Sequence, residues 1–546
     1  MKYRNSFFYL LFSGALCSLP AFFAQAQEKV TKTTNPDPND TLHTVEILNA
    51  KKLNLLKVDD STSLQILTGD VRLKQDNTLF DCDSCVINNR TKIFEAFGHV
   101  HINDADTSNV WSDYLQYLMD KKIAYLKNNV KLTDGKGTLT TQDLEYDVDT
   151  KIGIYRNGGK VVNNKKTVLT SQEGYYYTDL KDVYFKKNVI LDDPAYHLKT
   201  DSLIYNTENE TTRFIAYTFI KDSSNRTIET SDGFYNLKTG EAEFGNRPVI
   251  RDGKLYVTGE TVTNSDSSGI IQINGKGVMI DTAEGRTVLA DYIFINKKKS
   301  SFLATNKPLM IIKQDADSIY IAADTFFSAR LNELYGKKDS LITDTIRVTK
   351  VVNADDKDSA NRFFLAYHHV RIFSDSLQAV SDSLFYSFQD STFRLFTNPV
   401  IWSKENQITG DTIFLYTKNK KADRIRVFNN SFLVNQIEPE IFNQIKSTRM
   451  DGYFKDGSID SVRAKGFAEC IYYIQDEDSA FTGINESKSD ALDIYFKSQE
   501  LQKVVFRSAV TGTIWPMHQK DPKEMRLKNF QWLNARRPKT KLELVQ

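Results

Sequence analysis

The chain has 546 residues, 26% of them charged, and its 71 lysines and arginines nearly balance its 70 aspartates and glutamates. A nucleic-acid-binding protein needs a basic excess to neutralise phosphates, so this balance argues against nucleic acid as the main partner. The content of Tyr, Phe, Thr, Val and Ile predicts a folded chain instead of a disordered one.

Residues 1–26 have the features of a cleaved signal peptide. Two basic residues precede an apolar run from Phe7 to Leu19, and Ala24-Gln25-Ala26 offers the small-x-small pattern of a cleavage site. No later stretch approaches the roughly 18 continuous apolar residues of a membrane helix. We therefore expect an exported protein, with residues 27–44 as a flexible leader.

A short phrase centred on valine then returns about every 30 residues. Its clearest copies are Gly69-Asp70-Val71-Arg72-Leu73, Gly98-His99-Val100-His101-Ile102, Asn128-Asn129-Val130-Lys131-Leu132 and Lys187-Asn188-Val189-Ile190-Leu191. A period that steady predicts stacked structural units.

A second phrase keeps the same period and consists of an acid followed by apolar-x-aromatic. Its copies include Asp113-Tyr114-Leu115-Gln116-Tyr117, Asp143-Leu144-Glu145-Tyr146 and Asp201-Ser202-Leu203-Ile204-Tyr205. In an extended chain this alternation puts Leu115 and Tyr117 on one face and Gln116 on the other. Turn formers such as Asn157-Gly158-Gly159 separate the phrases. Each unit therefore carries two strands, and the chain is predicted to be an all-β, elongated array.

The array is predicted to have three parts. Residues 45–205 carry the clearest repeats, residues 206–435 continue them, and residues 436–515 hold divergent, longer units. Residues 330–361 interrupt the second part as an insertion, which is either a surface loop or a degenerate unit with Thr343–Val348 as its remnant strand.

The last segment, residues 516–546, lies outside the repeat pattern. Eight basic residues against three acidic ones surround Phe530 and Trp532. This basic tail is interpreted as a capping helix or a docking segment.

Side chains of catalytic type are few. Cys82-Asp83-Ser84-Cys85 is a C-x-x-C pattern on a predicted strand, which leaves a structural disulfide and two free thiols both open. His99 and His101 share a strand, but His369 occupies the place of His99 in a later unit, which favours a polar turn position over a metal ligand. We expect no catalytic residue, no metal and no cofactor.

One stretch resembles a known family. Leu67-Thr68-Gly69-Asp70-Val71-Arg72-Leu73-Lys74-Gln75, followed by Thr78-Leu79-Phe80-Asp81-Cys82-Asp83, resembles the core motif of the OstA/LptA family of periplasmic lipopolysaccharide-transport proteins. The resemblance is strongest over residues 45–205. From there to about residue 435 it persists weakly, in the spacing of the repeats. It implies V-shaped β-jelly-roll repeats whose apolar interior holds acyl chains.

The resemblance also implies a site, a location and partners. The inward residues of the first units are expected to bind lipid, and they are Val71, Leu73, Val100, Ile102, Leu115, Tyr117, Val130, Leu132, Leu144, Tyr146, Val189, Leu191, Leu203 and Tyr205. The expected partners are lipopolysaccharide or a related lipid, and other transport proteins or further copies joined end to end through terminal strands. The expected location is the periplasm, with association with the outer membrane and only peripheral membrane contact.

Two alternatives stay open from the residues alone. The inward residues pack as a closed core, or they line an open groove. In a different class, the repeats form a right-handed β-solenoid that acts as a surface adhesin or a polysaccharide-acting protein.

Overall fold

A computed structural model describes residues 45–60, 62–104, 108–133, 135, 137–163, 167–313, 318–335, 361–418, 421–455, 458–476, 478, 480–497 and 500–544. The predicted signal peptide, the leader and the remnant strand at 343–348 lie outside the described residues.

The described residues form forty β-strands, one α-helix of five residues and three short 3-10 helices. The strands up to residue 177 are β1 (Glu46–Asn49), β2 (Lys52–Lys57), β3 (Ser63–Gln75), β4 (Thr78–Asn88), β5 (Ile93–Asp104), β6 (Ser108–Leu118), β7 (Ile123–Thr133), β8 (Gly137–Asp147), β9 (Ile152–Tyr155), β10 (Gly159–Asn163), β11 (Val168–Ser171) and β12 (Glu173–Tyr177). The strands of the middle part are β13 (Asp182–Asp192), β14 (Tyr196–Asn206), β15 (Thr211–Phe214), β16 (Thr218–Asp222), β17 (Thr227–Thr230), β18 (Asp232–Asn236), β19 (Glu241–Gly245), β20 (Val249–Asp252), β21 (Leu255–Thr258), β22 (Thr261–Ser265), β23 (Ile270–Asp281), β24 (Arg286–Asn296), β25 (Ser301–Thr305), β26 (Leu309–Lys313), β27 (Ser318–Ala322) and β28 (Thr325–Arg330).

The helix α1 (Leu331–Tyr335) follows β28. The remaining strands are β29 (Arg362–Phe373), β30 (Gln378–Ser387), β31 (Thr392–Phe396), β32 (Val400–Ser403), β33 (Asn406–Thr409), β34 (Thr412–Lys418), β35 (Lys421–Glu438), β36 (Ile441–Lys455), β37 (Ser458–Gln475), β38 (Phe481–Lys497), β39 (Glu500–Arg507) and β40 (Thr511–Trp515). The 3-10 helices are Met517–Gln519, Asn534–Arg536 and Lys541–Leu544.

The long strands β3, β5, β7 and β13 bend at the valine phrase. Gly98 and His99 have φ values of 73° and 41°, Asn128 and Asn129 have 62° and 50°, and the pairing register shifts at both places. Gly and Asn tolerate this left-handed conformation best, and paired left-handed residues at a register shift turn the strand sharply. The phrase that repeats in the sequence is therefore a corner.

The corners divide the strands into two wings. The part of each strand on one side of the corner pairs only with the corresponding part of its neighbour, as Leu64–Thr68 does with Ser84–Asn88, and Val71–Gln75 with Thr78–Cys82. We name the wing that contains 64–68 and 84–88 wing I, and the wing that contains 71–75 and 78–82 wing II. From β9 onwards, many corners separate two short strands instead of bending one long strand.

The acid of the second phrase binds the corner of the following strand. Asp83 Oδ2 lies at the hydrogen-bond distance of 2.8 Å from His99 Nδ1. Asp113 Oδ2 accepts a hydrogen bond from Asn129 Nδ2 at 2.7 Å. The carboxylate thus satisfies polar groups where the ladder is interrupted. The one acid per unit that the sequence shows therefore belongs to the corner.

The turns at the ends of wing I stack on one another through the backbone. Met119 N donates to Lys92 O at 2.9 Å, Val148 N to Lys122 O at 3.0 Å, and Thr178 N to Lys151 O at 3.1 Å. The successive acceptors Lys92, Lys122 and Lys151 are about 30 residues apart in the sequence. These hydrogen bonds therefore link each unit to the next and account for the period of the repeat.

The inward side chains of both wings form one hydrophobic core that runs from Leu67 to Phe496. All the pairings among the described strands are antiparallel, as in β3–β4 and β37–β38. A right-handed solenoid stacks its strands in parallel, so that alternative is wrong for the described part of the chain. The predicted all-β array of jelly-roll repeats is confirmed.

Strands β28 and β29, which flank the predicted insertion, pair directly in wing I, with Arg330 opposite Arg362. Residues 336–360 lie outside the described residues, so a surface loop and a degenerate unit both stay predictions for the insertion.

The tail is an extended segment that returns over the outer face of wing II. Met525 and Leu527 pack on β35–β38, Leu533 packs on Trp402, and Leu544 packs beside Leu309. Apart from the three 3-10 helices, its described part has no helix, so the tail covers strands as an extended strap.

Candidate functional site

The fourteen predicted lipid-binding residues all lie in the continuous core between the wings. They are Val71, Leu73, Val100, Ile102, Leu115, Tyr117, Val130, Leu132, Leu144, Tyr146, Val189, Leu191, Leu203 and Tyr205, and each is at most 5% exposed. Lipid contact by these side chains stays a prediction, and it requires the two wings to separate.

The free edges of the wings meet along a line opposite the corners, which we name the mouth. In the first units, the tyrosines of wing I cross it: Tyr117 OH donates to Gln75 Oε1 at 2.6 Å, and Tyr146 OH donates to Asp104 Oδ2 at 3.2 Å. Burial raises the pKa of Tyr146 to about 12, so its hydroxyl keeps the proton that it donates. Only side chains make these cross-wing contacts.

Ion pairs also hold the mouth, both in the first units, where Lys122 Nζ lies 2.9 Å from Asp76 Oδ2, and further along the array. Arg226 of wing II donates to Asp266 of wing I at 2.9 Å, and Tyr235 OH donates to the same carboxylate at 3.0 Å. Burial alone would raise the pKa of Asp266, but hydrogen bonds from Arg226 and Asn264 outweigh it and lower the pKa. The carboxylate is therefore ionised at neutral pH.

A cavity of about 300 Å³ lies behind this ion pair. Leu198, Phe214, Ile220 and Ile228 form its apolar part. The described structure offers no hydrogen-bond partner to two polar atoms that line it, Tyr196 OH and Thr212 Oγ1. Buried polar atoms are nearly always hydrogen-bonded, so this is a place where a ligand or water would satisfy them.

A second cavity of about 370 Å³ adjoins the first. The pair Lys297–Asp252 crosses the mouth between them, and both residues line both cavities. The apolar lining consists of Leu255, Met279, Val288, Ile295, Phe302 and Met310. Space for a ligand therefore lies in the middle of the array.

None of the fourteen predicted residues lines either of these two cavities. Sequence reasoning missed the residues that do, because the apolar alternation continues without change. One signal was present: Thr212 stands opposite Tyr205 and Tyr235, the position that Ala124 holds between Tyr117 and Tyr146.

The cysteines and histidines are accounted for by local contacts. Cys82, Cys85 and Cys470 are buried free thiols. His99 binds Asp83, whereas His101 stacks on Trp111 with ring centroids 4.9 Å apart. Within the described ranges, no group of three or more His, Cys, Asp and Glu side chains is arranged to hold a metal ion.

Both ends of the array have strands that pair on one side only within the described part of the chain. Strands β1 and β2 pair only with β3, and all their side chains are exposed, including Leu53 and Leu55. At the other end, β39 and β40 pair only with β38.

The fold defines the class of protein as an antiparallel β-jelly-roll array with an apolar interior. Residues 43–201 match the family of OstA-like proteins, and the resemblance found in the sequence is confirmed over that region. No curated protein matches the chain. In the described part of the chain, no helix has the length and hydrophobicity needed to cross a membrane.

Among solved structures, the chain is similar to LptH from Pseudomonas aeruginosa, described as the LptA-homologous periplasmic component of the lipopolysaccharide transport device. The identity is 12% and the TM-score 0.18, over 19% of this chain and 79% of LptH. The resemblance to OstA-like proteins is supported by the match of residues 43–201 to that family, and not by this slight structural likeness.

Proposed function

We propose that this chain is an exported, periplasmic protein that binds lipopolysaccharide or a related lipid between its wings and takes part in its transport to the outer membrane. The signal-peptide features at residues 1–26 and the OstA-like match over residues 43–201 support the location and the transport role.

The observation that carries the proposal is a continuous apolar interior whose mouth is held by side-chain contacts in the part of the chain that the structure describes. A single hydrogen bond across the mouth is worth about 0.5–1.5 kcal/mol net. Each methylene group buried from water contributes about 0.8 kcal/mol. An acyl chain that enters the interior therefore offsets each broken link with one or two methylene groups.

The proposed role is non-enzymatic. Binding a hydrocarbon chain requires a continuous apolar surface and no directional chemistry. The acids that recur in each unit bind corner side chains, as Asp83 and Asp113 do, so they have a structural task already.

The proposed partners, besides the lipid, are other transport proteins or further copies of the chain at the array ends. Exposed strands with an unpaired backbone edge accept an added strand from another chain. The one-sided pairing of β2 and β40 supports this mode of contact.

The test is site-specific photo-crosslinking in cells. A photoreactive residue at Phe214 lies in the first cavity, and one at the neighbouring Arg213 is exposed on the outer face of the same strand. A second pair consists of the inward Tyr117 and the outward Gln116. We expect lipopolysaccharide to be captured from Phe214 and Tyr117 but not from Arg213 or Gln116.

Equal capture from inward and outward positions, or none from either, would contradict lipid binding between the wings. Because Phe214 borders open space, a photoreactive side chain there is accommodated better than at the closely packed Tyr117. The Phe214 and Arg213 pair is therefore decisive if the variant at Tyr117 does not fold.

A further inference from the structure

The second cavity contains more positive than negative charge. Four basic residues line it, Lys254, Arg286, Lys297 and Arg362, against the two acids Asp252 and Asp281. Lys297 is paired with Asp252, and Arg286 is paired with Glu284 and lies 4.0 Å from Asp281. With Glu284 added to the two lining acids, four basic residues face three acidic ones, and among the described residues Arg362 and the exposed Lys254 are the two basic residues of this set without a close carboxylate.

Arg362 has no carboxylate partner among the described residues. Its side chain donates one long hydrogen bond, from Nη2 to Ser300 O at 3.3 Å, and its buried Nε has no partner there. Burial lowers the pKa of Arg362, and repulsion from the positive charge of Arg286 lowers it further. A guanidinium ion nevertheless stays charged in proteins, so the cavity holds a cation that Glu284 and Asp281 attract but that no described carboxylate pairs with directly.

A cation that is largely withdrawn from water and unpaired is costly, and an anion that reaches it lowers that cost. The lining of the same cavity also contains apolar side chains, including Met279, Val288 and Phe302. One ligand class satisfies both surfaces at once: an anionic group, phosphate or carboxylate, that is attached to a hydrocarbon chain.

We infer that this second cavity, between wing I and wing II, binds the anionic headgroup of an amphiphile at Arg362, with its hydrocarbon chain along the apolar lining. This inference rests on the proposed lipid binding and specifies the ligand class and the place where its headgroup is held. It also assigns a task to Arg362 that the fold does not require.

The experiment measures binding of dodecyl phosphate, below its micellar concentration, to the full mature chain by calorimetry. Inorganic phosphate and dodecyl trimethylammonium serve as ligand controls. The variant is Arg362→Gln, and the matched control is Arg213→Gln, which removes the same charge from an exposed position on β15. Since a hydrogen bond to a charged group is lost, we expect at least tenfold weaker binding of dodecyl phosphate to Arg362→Gln and no change for Arg213→Gln.

A purely structural arginine predicts a different result. If Arg362 stabilises the fold, Arg362→Gln lowers the melting temperature of the free protein. If Arg362 serves to bind an anion, the same substitution leaves the melting temperature of the free protein unchanged or raises it. Arg362→Lys keeps the charge and should retain part of the binding. If Arg362→Gln proves poorly folded, Lys254→Gln at the exposed rim tests the same charge with a smaller expected loss.

Three outcomes would overturn the inference: unchanged binding by Arg362→Gln, inorganic phosphate bound as tightly as dodecyl phosphate, or the cationic amphiphile bound equally well. The second outcome would indicate a site for a free anion. If lipopolysaccharide is still captured at Phe214 in that case, the proposed function stands and only the headgroup site is lost.

Discussion

Wing II is built differently at the two ends of the array. In strands β3–β8 its outward positions carry polar residues such as Arg72, His101 and Lys131, and these remain partly or fully exposed. In β30–β38 the outward positions include Trp402 and Phe432, which are 0% and 5% exposed. The tail covers them, so the same repeat has one buried face at the start and two buried faces at the end.

The tail is held on the end of the array by hydrogen bonds as well as by apolar packing. Buried glutamines of wing II bind the backbone of the tail: Gln444 donates to Met525 O and accepts from Leu527 N, both at 2.8 Å, and Gln407 does the same to Gln531 O and Leu533 N. These amides satisfy tail groups that burial would leave without water. We therefore expect the tail to stiffen the end of the array and the first units to open more easily.

Removing the tail is expected to have the largest effect. Truncation after Trp515 exposes large apolar side chains on wing II, and at about 1.5–3 kcal/mol for each buried apolar residue the total loss is on the order of 10 kcal/mol. We expect faster hydrogen exchange in β35–β38, with β3–β8 unchanged. If hydrogen exchange in β35–β38 stays as slow as in the full chain, the tail does not stabilise this region, and the proposed difference between the two ends of the array is wrong.

Substitution of one buried glutamine should remove one of the attachments between wing II and the tail. Gln407→Ala leaves Gln531 O, Leu533 N and the indole N–H of Trp402 without their bonds to this side chain. At about 1–3 kcal/mol for each buried group left unsatisfied, with partial relaxation, we expect a loss of about 2–4 kcal/mol in the free energy of unfolding. Denaturant unfolding measures it, and Gln116→Ala on the outer face of β6 is the control. Equal effects of the two variants would show that the glutamine contact is dispensable.

Much of the fold could be predicted from the sequence because the repeat has a physical origin at each position. The valine phrase predicted the units, and the structure shows why it repeats: the residues before Val100 and Val130 adopt left-handed corners. The inward alternation predicted the buried residues for the same reason, since successive side chains of a strand point to opposite faces.

The path of the tail and the cavities could not be predicted in this way, because both depend on contacts far apart in the chain. Gln407 and Leu533 are 126 residues apart, and Arg226 and Asp266 are 40 residues apart. Even so, Val400-Ile401-Trp402 and Phe432-Leu433-Val434 replace alternation with continuous apolar runs, which is the pattern of a strand covered on both faces.

The smallest expected effect concerns the mouth in the first units, where no strap lies over wing II. Tyr117→Phe removes only the hydrogen bond from Tyr117 OH to Gln75, keeps the ring in the core, and should cost about 1 kcal/mol because the amide loses one partner. The control is Tyr125→Phe, whose ring lies on the outer side of the neighbouring strand β7. We expect faster hydrogen exchange at the mouth ends of β3 and β4 in Tyr117→Phe alone, and no change in β35–β38. Such a local change would show that side chains across the mouth limit opening of the first units, whereas equal exchange in both variants would mean that core packing alone keeps the wings together.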